Sequence, residues 1–196
     1  FVLKSSEETR KVYPYDFEFT VTYKLSGNKV EAEYKTVNKG SQPMYFYTGA
    51  HPAFNCPLES GLRFNDYYVK YDKPETITQS ILGGERTIVD NDTKVPLSRE
   101  LFDYDVFMKD TPESGSVTLK SDKSDKFVTV EYESGQGCIA VWSPTGDDNA
   151  AFVCLEPWTS VPVYADDEYK EIEKKPHAIK LEAGMEHSFR YNIVLG

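Results

Sequence analysis

Histidine, cysteine and tryptophan are scarce in this 196-residue chain (three, three and two), and positive charge is in deficit. The three cysteines, Cys56, Cys138 and Cys154, are an odd number whose spacing matches neither a zinc motif nor a disulfide framework. Reduced thiols of this kind fit a cytoplasmic protein. A His-rich metal site has little support in so few histidines. With 22 basic against 32 acidic residues the formal net charge is −10, which repels polyanions on average, so neither nucleic acid nor an anionic membrane is an expected partner. No run approaches the roughly 18 apolar residues of a membrane-spanning helix. The opening Phe1-Val2-Leu3-Lys4 has no basic region followed by a long apolar stretch, the pattern that directs export. It reads instead as a strand already under way without a starting Met, which predicts further chain upstream. Low-complexity segments and internal repeats are absent as well. The short charged runs, Asp166-Asp167-Glu168 and Glu171 to Lys175, read as solvated loop or edge residues.

What the chain does have is apolar and aromatic content, 39% and 14%, enough for a buried core. Its periodicity is that of strands. Phe17 to Leu25 alternates apolar and polar, Ser26-Gly27-Asn28 supplies a turn, and Lys29 to Val37 alternates again, which predicts an antiparallel hairpin. Similar runs recur at Arg63 to Tyr71, Thr76 to Leu82, Ser116 to Lys120, Phe127 to Tyr132, Cys138 to Trp142, Phe152 to Trp158, His177 to Leu181 and His187 to Val194. Between them lie breaker pairs such as Gly83-Gly84, Asn91-Asp92, Ser134-Gly135 and Thr145-Gly146. Ser98 to Phe107 alone has helix-like spacing. Short strands punctuated this often predict an all-β, antiparallel β-sandwich or barrel, with residues 1–196 forming one domain.

Two segments concentrate the chemistry. In Tyr47-Thr48-Gly49-Ala50-His51-Pro52-Ala53-Phe54-Asn55, Gly49 gives backbone freedom and Pro52 fixes the chain after His51, which would hold the imidazole on a rigid turn. Such a histidine can exchange a proton near neutral pH, or can simply satisfy backbone groups in a turn. His177 and His187, set among Lys and Glu, read as structural. In Phe152-Val153-Cys154-Leu155-Glu156-Pro157-Trp158, alternation puts Val153 and Leu155 on one face and Cys154, Glu156 and Trp158 on the other. A carboxylate in an apolar strand is costly unless paired or used, and partial burial would raise its pKa towards neutrality. Pro157 cannot continue a central ladder, so the strand should end or bulge there and expose Glu156 at a rim. Trp158 offers a flat surface that can stack on a sugar ring or belong to the core.

Gly49-Ala50-His51-Pro52-Ala53-Phe54-Asn55, Leu101-Phe102-Asp103-Tyr104-Asp105 and Val153-Cys154-Leu155-Glu156-Pro157-Trp158, with Lys180 to Gly184 trailing, occur in this order and at approximate separations that resemble the aldose 1-epimerase (galactose mutarotase) superfamily, in particular its bacterial LacX-like branch. The resemblance covers essentially the whole chain. It implies a galactose mutarotase-like supersandwich, of which residues 1–196 would be the C-terminal two-thirds, with a sugar pocket on a concave face. It implies that Glu156 is the general base for the anomeric hydroxyl and His51 the general acid for the ring oxygen, with no metal or organic cofactor. It further implies substrate contacts from Asp105, with Asp103 as fallback, and from Trp158 and Phe54. The partner would be a hexose or hexose phosphate. Two features depart from the family pattern. A further pocket His and an Arg would fall upstream of Phe1, and Thr159-Ser160-Val161-Pro162 stands where the branch has an aromatic and a Gly, altering one pocket edge.

Other readings remain. A non-catalytic carbohydrate-binding β-sandwich would keep Trp158 and Tyr47 without needing an acid and a base at one carbon. A protein-interaction sandwich would expose an apolar patch. A glycosidase would need a second carboxylate flanking the bond.

Overall fold

The computed structural model describes residues 1–145, 150–162 and 169–196. Gly146 and the run Asp166-Asp167-Glu168 lie outside the described residues. In chain order the strands are β1 (Val2–Lys4), β2 (Phe17–Ser26), β3 (Lys29–Asn38), β4 (Met44–Phe46), β5 (Ala53–Asn55), β6 (Tyr67–Ile81), β7 (Gly84–Pro96), β8 (Phe107–Asp110), β9 (Ser116–Ser121), β10 (Phe127–Glu131), β11 (Cys138–Trp142), β12 (Phe152–Trp158), β13 (Ile179–Leu181) and β14 (Glu186–Leu195). One helical turn, α1 (Glu7–Arg10), is closed by reciprocal bonds between Ser6 and Thr9.

The strands form an antiparallel sandwich. An eight-stranded sheet runs β1-β2-β3-β14-β10-β9-β6-β7, a four-stranded sheet runs β5-β12-β11-β8, and β13 pairs with β4. Period-2 alternation decides what lies between the two larger sheets. Tyr67, Val69, Tyr71, Val117, Leu119 and Val130 from the first meet Ile139, Val141, Val153 and Leu155 from the second, and none is more than 1% exposed. The residues between these on β11 and β12 therefore face away from the core, and that outer face carries the site. A smaller cluster of Phe17, Met44, Phe46 and Leu181 lies under β4 and β13. Towards the β1–β2 edge the core face of the large sheet is uncovered, with Leu3 52%, Tyr23 51% and Leu25 74% exposed.

The β2–β3 hairpin forms as the alternation predicts, pairing Ser26 with Lys29 across Gly27-Asn28, and Gly27 adopts φ 61, the left-handed backbone such a loop requires. Elsewhere the chain departs from the local pattern. The two runs Arg63 to Tyr71 and Thr76 to Leu82 are joined in one strand, β6, preceded by a 3-10 turn at Phe64–Asp66. Asn91-Asp92 does not break the chain. It lies within β7, where Asn91 takes φ 48 and the β6–β7 ladder shifts register. The helix-like Ser98 to Phe107 contains only a 3-10 turn, Arg99–Phe102, which buries Phe102 before β8 begins. His177, with φ 60, lies outside β13.

Candidate active site

β12 is flanked by β11 and by the short β5, and the register of the β5 side places the site. Ala53 pairs with Cys154 and Gly49 bridges to Trp158, so the same register sets His51 directly opposite Glu156. The rungs on either side each contain a proline. Ala50 N–H donates to Pro157 O at 2.9 Å and Leu155 N–H to Pro52 O at 3.2 Å, but neither Pro157 nor Pro52 can return a bond. His51 and Glu156 thus occupy a non-hydrogen-bonded pair, the kind in which opposing side chains come closest. This corrects the expectation for Pro157. The strand neither ends nor bulges there, because the missing N–H faces the segment of Gly49 to Pro52, where the continuous β5 ladder has already stopped. Glu156 is accordingly buried, 5% exposed, rather than displayed at a rim.

His51 Nε2 lies 3.2 Å from Glu156 Oε1. That contact lacks hydrogen-bond alignment, so Oε1 has no hydrogen-bond partner among the described residues. The other oxygen, Oε2, accepts from Trp158 Nε1–H at 3.1 Å. Burial pushes the Glu156 carboxyl above its ordinary range. His51 and the Trp158 N–H pull it back down, and the charge of Asp105 adds to the rise. Gly49 serves a purpose other than backbone freedom. A Cβ there would fall 2.9 Å from Trp158 Cγ and nearer still to two other indole carbons, so only glycine lets the chain pass over the ring.

The register continues across the sheet. Glu156 opposes Ala140, and Ala140 opposes Met108. These side chains floor an open cavity of 510 Å³ walled by Trp142, Trp158, Tyr47, Thr48, Asp105 and Val106 and edged by Thr159-Ser160-Val161-Pro162. Its size is that of a small-molecule site. Of the residues read from the sequence, His51, Glu156, Asp105 and Trp158 line it. Phe54 does not. It pairs with Val153 and packs against the main core, on the opposite face. Asp103 ends the 3-10 turn, exposed and outside the cavity lining. Asp105 takes φ 72 and accepts from Trp142 Nε1–H at 2.7 Å. Trp142 was not evident as a site residue, although its place one alternation step beyond Ala140 on β11 carried the signal. His187 is half-buried against Phe46, its imidazole pulled down by burial, and neither it nor His177 lines this cavity.

Ligand atoms of His51, Cys154 and Glu156 lie within 4.8 Å of one another, a donor set that zinc could use. Burial pushes the Cys154 thiol up to about 12. No helix among the described residues is long and apolar enough to cross a membrane.

The fold is an antiparallel β-sandwich with a contacting His–Glu pair in the lining of an open cavity flanked by two indoles. Comparison specifies it further: the chain matches the aldose 1-epimerase family over residues 1–194 and belongs to that family. It is 32% identical to the plasmid-encoded Protein LacX of Lactococcus lactis subsp. lactis over 191 residues, 92% of this chain and 62% of the relative, and 31% identical to the chromosomal form over the same shares. The chain thus spans about three-fifths of the length of these relatives. A galactose mutarotase related enzyme from Lactobacillus acidophilus superposes with a TM-score of 0.87 at 29% identity, over 100% of this chain and 67% of that one. A galactose mutarotase-like protein from Lactobacillus casei gives 0.81 at 25% identity, over 100% and 69%.

Proposed function

We propose that this chain carries the acid–base centre of an aldose 1-epimerase, interconverting the α and β anomers of a sugar. The observation that carries the reading is the directly opposed His51–Glu156 pair, with Glu156 Oε1 buried and unbonded beneath a histidine whose side chain is 53% exposed. The sugar enters as the imidazole rotates off Oε1. Oε1 then takes the proton of the anomeric hydroxyl, Nε2–H protonates the ring oxygen, and the C1–O bond of the ring breaks to leave the aldehyde. Rotation about C1–C2 and closure on the other face reverse both transfers, and the net reaction consumes nothing. Trp158 keeps Oε2 occupied, so one oxygen of Glu156 acts and the other is anchored.

We take the substrate to be a hexose or hexose phosphate held in this open cavity. Sugar contacts are assigned to Asp105 and Trp158. Residues 1–196 are taken as the C-terminal two-thirds of a longer family domain. The uncovered apolar face beside β1 and β2 and the greater length of the relatives support that extent. The three free cysteines support a reducing, cytoplasmic setting.

The test follows anomer equilibration of freshly dissolved α-D-glucose and α-D-galactose by polarimetry or NMR. Acceleration by the wild type that falls by about 10²-fold or more in Glu156→Gln and His51→Asn supports the reading. Full activity in Glu156→Gln overturns the assignment of the base. Absence of acceleration with any free or phosphorylated aldose overturns the activity, and sugar binding that persists unchanged in Glu156→Gln would identify a binding module.

A further inference from the structure

Trp142 stands between two functional side chains. Its indole N–H donates to Asp105 Oδ1 at 2.7 Å, and its ring meets the His51 imidazole edge to face, with centroids 5.8 Å apart at 75°. On its other side the ring rests against Phe152, the centroids 6.1 Å apart. Asp105 cannot hold its own position cheaply. Its φ of 72 is a left-handed conformation unusual for a residue with a Cβ, and it sits where the 3-10 turn gives way to β8, fixed on the backbone side by a 2.9 Å bond from its N–H to Phe102 O. The Trp142 bond fixes one oxygen of this carboxylate at the cavity wall. It leaves Oδ2 free of any hydrogen bond found among the described residues.

The two indoles of the cavity repeat one arrangement. Trp158 donates to Glu156 and Trp142 to Asp105, and the His51 ring lies edge-on to both. Each carboxylate has one oxygen anchored by an indole N–H.

We propose that Trp142 is a positioning residue that couples sugar binding at Asp105 to the placement of the acid His51. Its N–H orients the carboxylate that receives a sugar hydroxyl, and its ring limits how far the imidazole rotates when the sugar enters. This rests on the epimerase reading for its kinetic part and on sugar binding alone for its equilibrium part.

The test uses Trp142→Phe, which keeps an aromatic ring and removes the N–H, together with Asp105→Ala, which removes the acceptor, and the double variant. Two measurements are made on each. One is kcat and KM for mutarotation of D-galactose and D-glucose. The other is the affinity of 1,5-anhydro-D-galactitol and 1,5-anhydro-D-glucitol, which lack the anomeric hydroxyl and are not turned over. Trp142→Phe should raise KM and weaken the anhydro sugars by about tenfold, the worth of one charge-assisted hydrogen bond at a partly exposed site. The effects of Trp142→Phe and Asp105→Ala should be strongly non-additive, because each removes the same link. Trp142→His, which restores a ring N–H, should recover part of the loss. Additive effects, or an unchanged KM and affinity in Trp142→Phe, would overturn the proposal while leaving the epimerase reading intact. A wild type that neither turns over nor binds any of these sugars would overturn both.

Discussion

The passage of Gly49 over Trp158 offers the sharpest test of how this site is built. In Gly49→Ala the new methyl carbon would lie 2.9 Å from Trp158 Cγ, with two further indole carbons closer. Carbon atoms prefer about 3.5–4.0 Å, so the indole or the Gly49 strand must shift by about 1 Å or more. Gly49 does not adopt a left-handed φ, so backbone strain adds nothing and the cost is steric. Overpacking of this kind costs about 1–3 kcal/mol, while the stiffer unfolded chain of an alanine returns about 0.4–1 kcal/mol. The net is a destabilisation of about 0–2.6 kcal/mol, centred near 1 kcal/mol, or roughly 2–4 °C in Tm at that centre for a chain of this size. Activity should fall further than stability. Displacing the indole removes the 3.1 Å bond that anchors Glu156, and it shifts His51 through the same strand. Scanning calorimetry and polarimetry on the purified variant check both. A variant with wild-type Tm and wild-type mutarotation would refute the argument that close approach to Trp158 is what requires glycine.

Four further outcomes follow from the electrostatics of Glu156. Its base form is the deprotonated one and burial raises its pKa, so kcat/KM should rise with pH through a limb above the ordinary Glu value of about 4.3. Asp105→Asn should move that limb to lower pH, because the Asp105 charge contributes to the rise, and a limb that stays in place would exclude the coupling. Between the ordinary and the raised value the folded chain keeps a proton that the unfolded chain has released, so this group's stabilising contribution is lost as pH rises through that window. Glu156→Gln should therefore be inactive yet more heat-stable than wild type at neutral pH, with the gap in Tm closing towards acid. An equal or lower Tm at neutral pH would contradict the burial argument. Trp158→Phe leaves Oε2 without its donor, which should push the limb still higher and lower kcat by about tenfold or more, and an unmoved pH profile would show the indole N–H to be dispensable.

Period-2 alternation was sufficient to establish the strand class, the β2–β3 hairpin and the division of β12 into a core face of Val153 and Leu155 and a second face of Cys154, Glu156 and Trp158. These are local properties, because a strand's two faces follow from its own residues. The motifs around His51 and Glu156 also singled out two residues that the structure brings into contact. Tertiary structure decided everything that depends on which strands are neighbours. His51 and Glu156 are 3.2 Å apart because one antiparallel register sets them opposite, and Pro157, which locally argued for a strand end, instead lies where a missing N–H goes unneeded. The same register turned Phe54 into the core and brought Trp142 between Asp105 and His51, and it gave Gly49 a steric reason that its own flexibility did not suggest. Pairing partners far apart in sequence leave no trace in either strand's periodicity, so the composition of the site was legible before its geometry was.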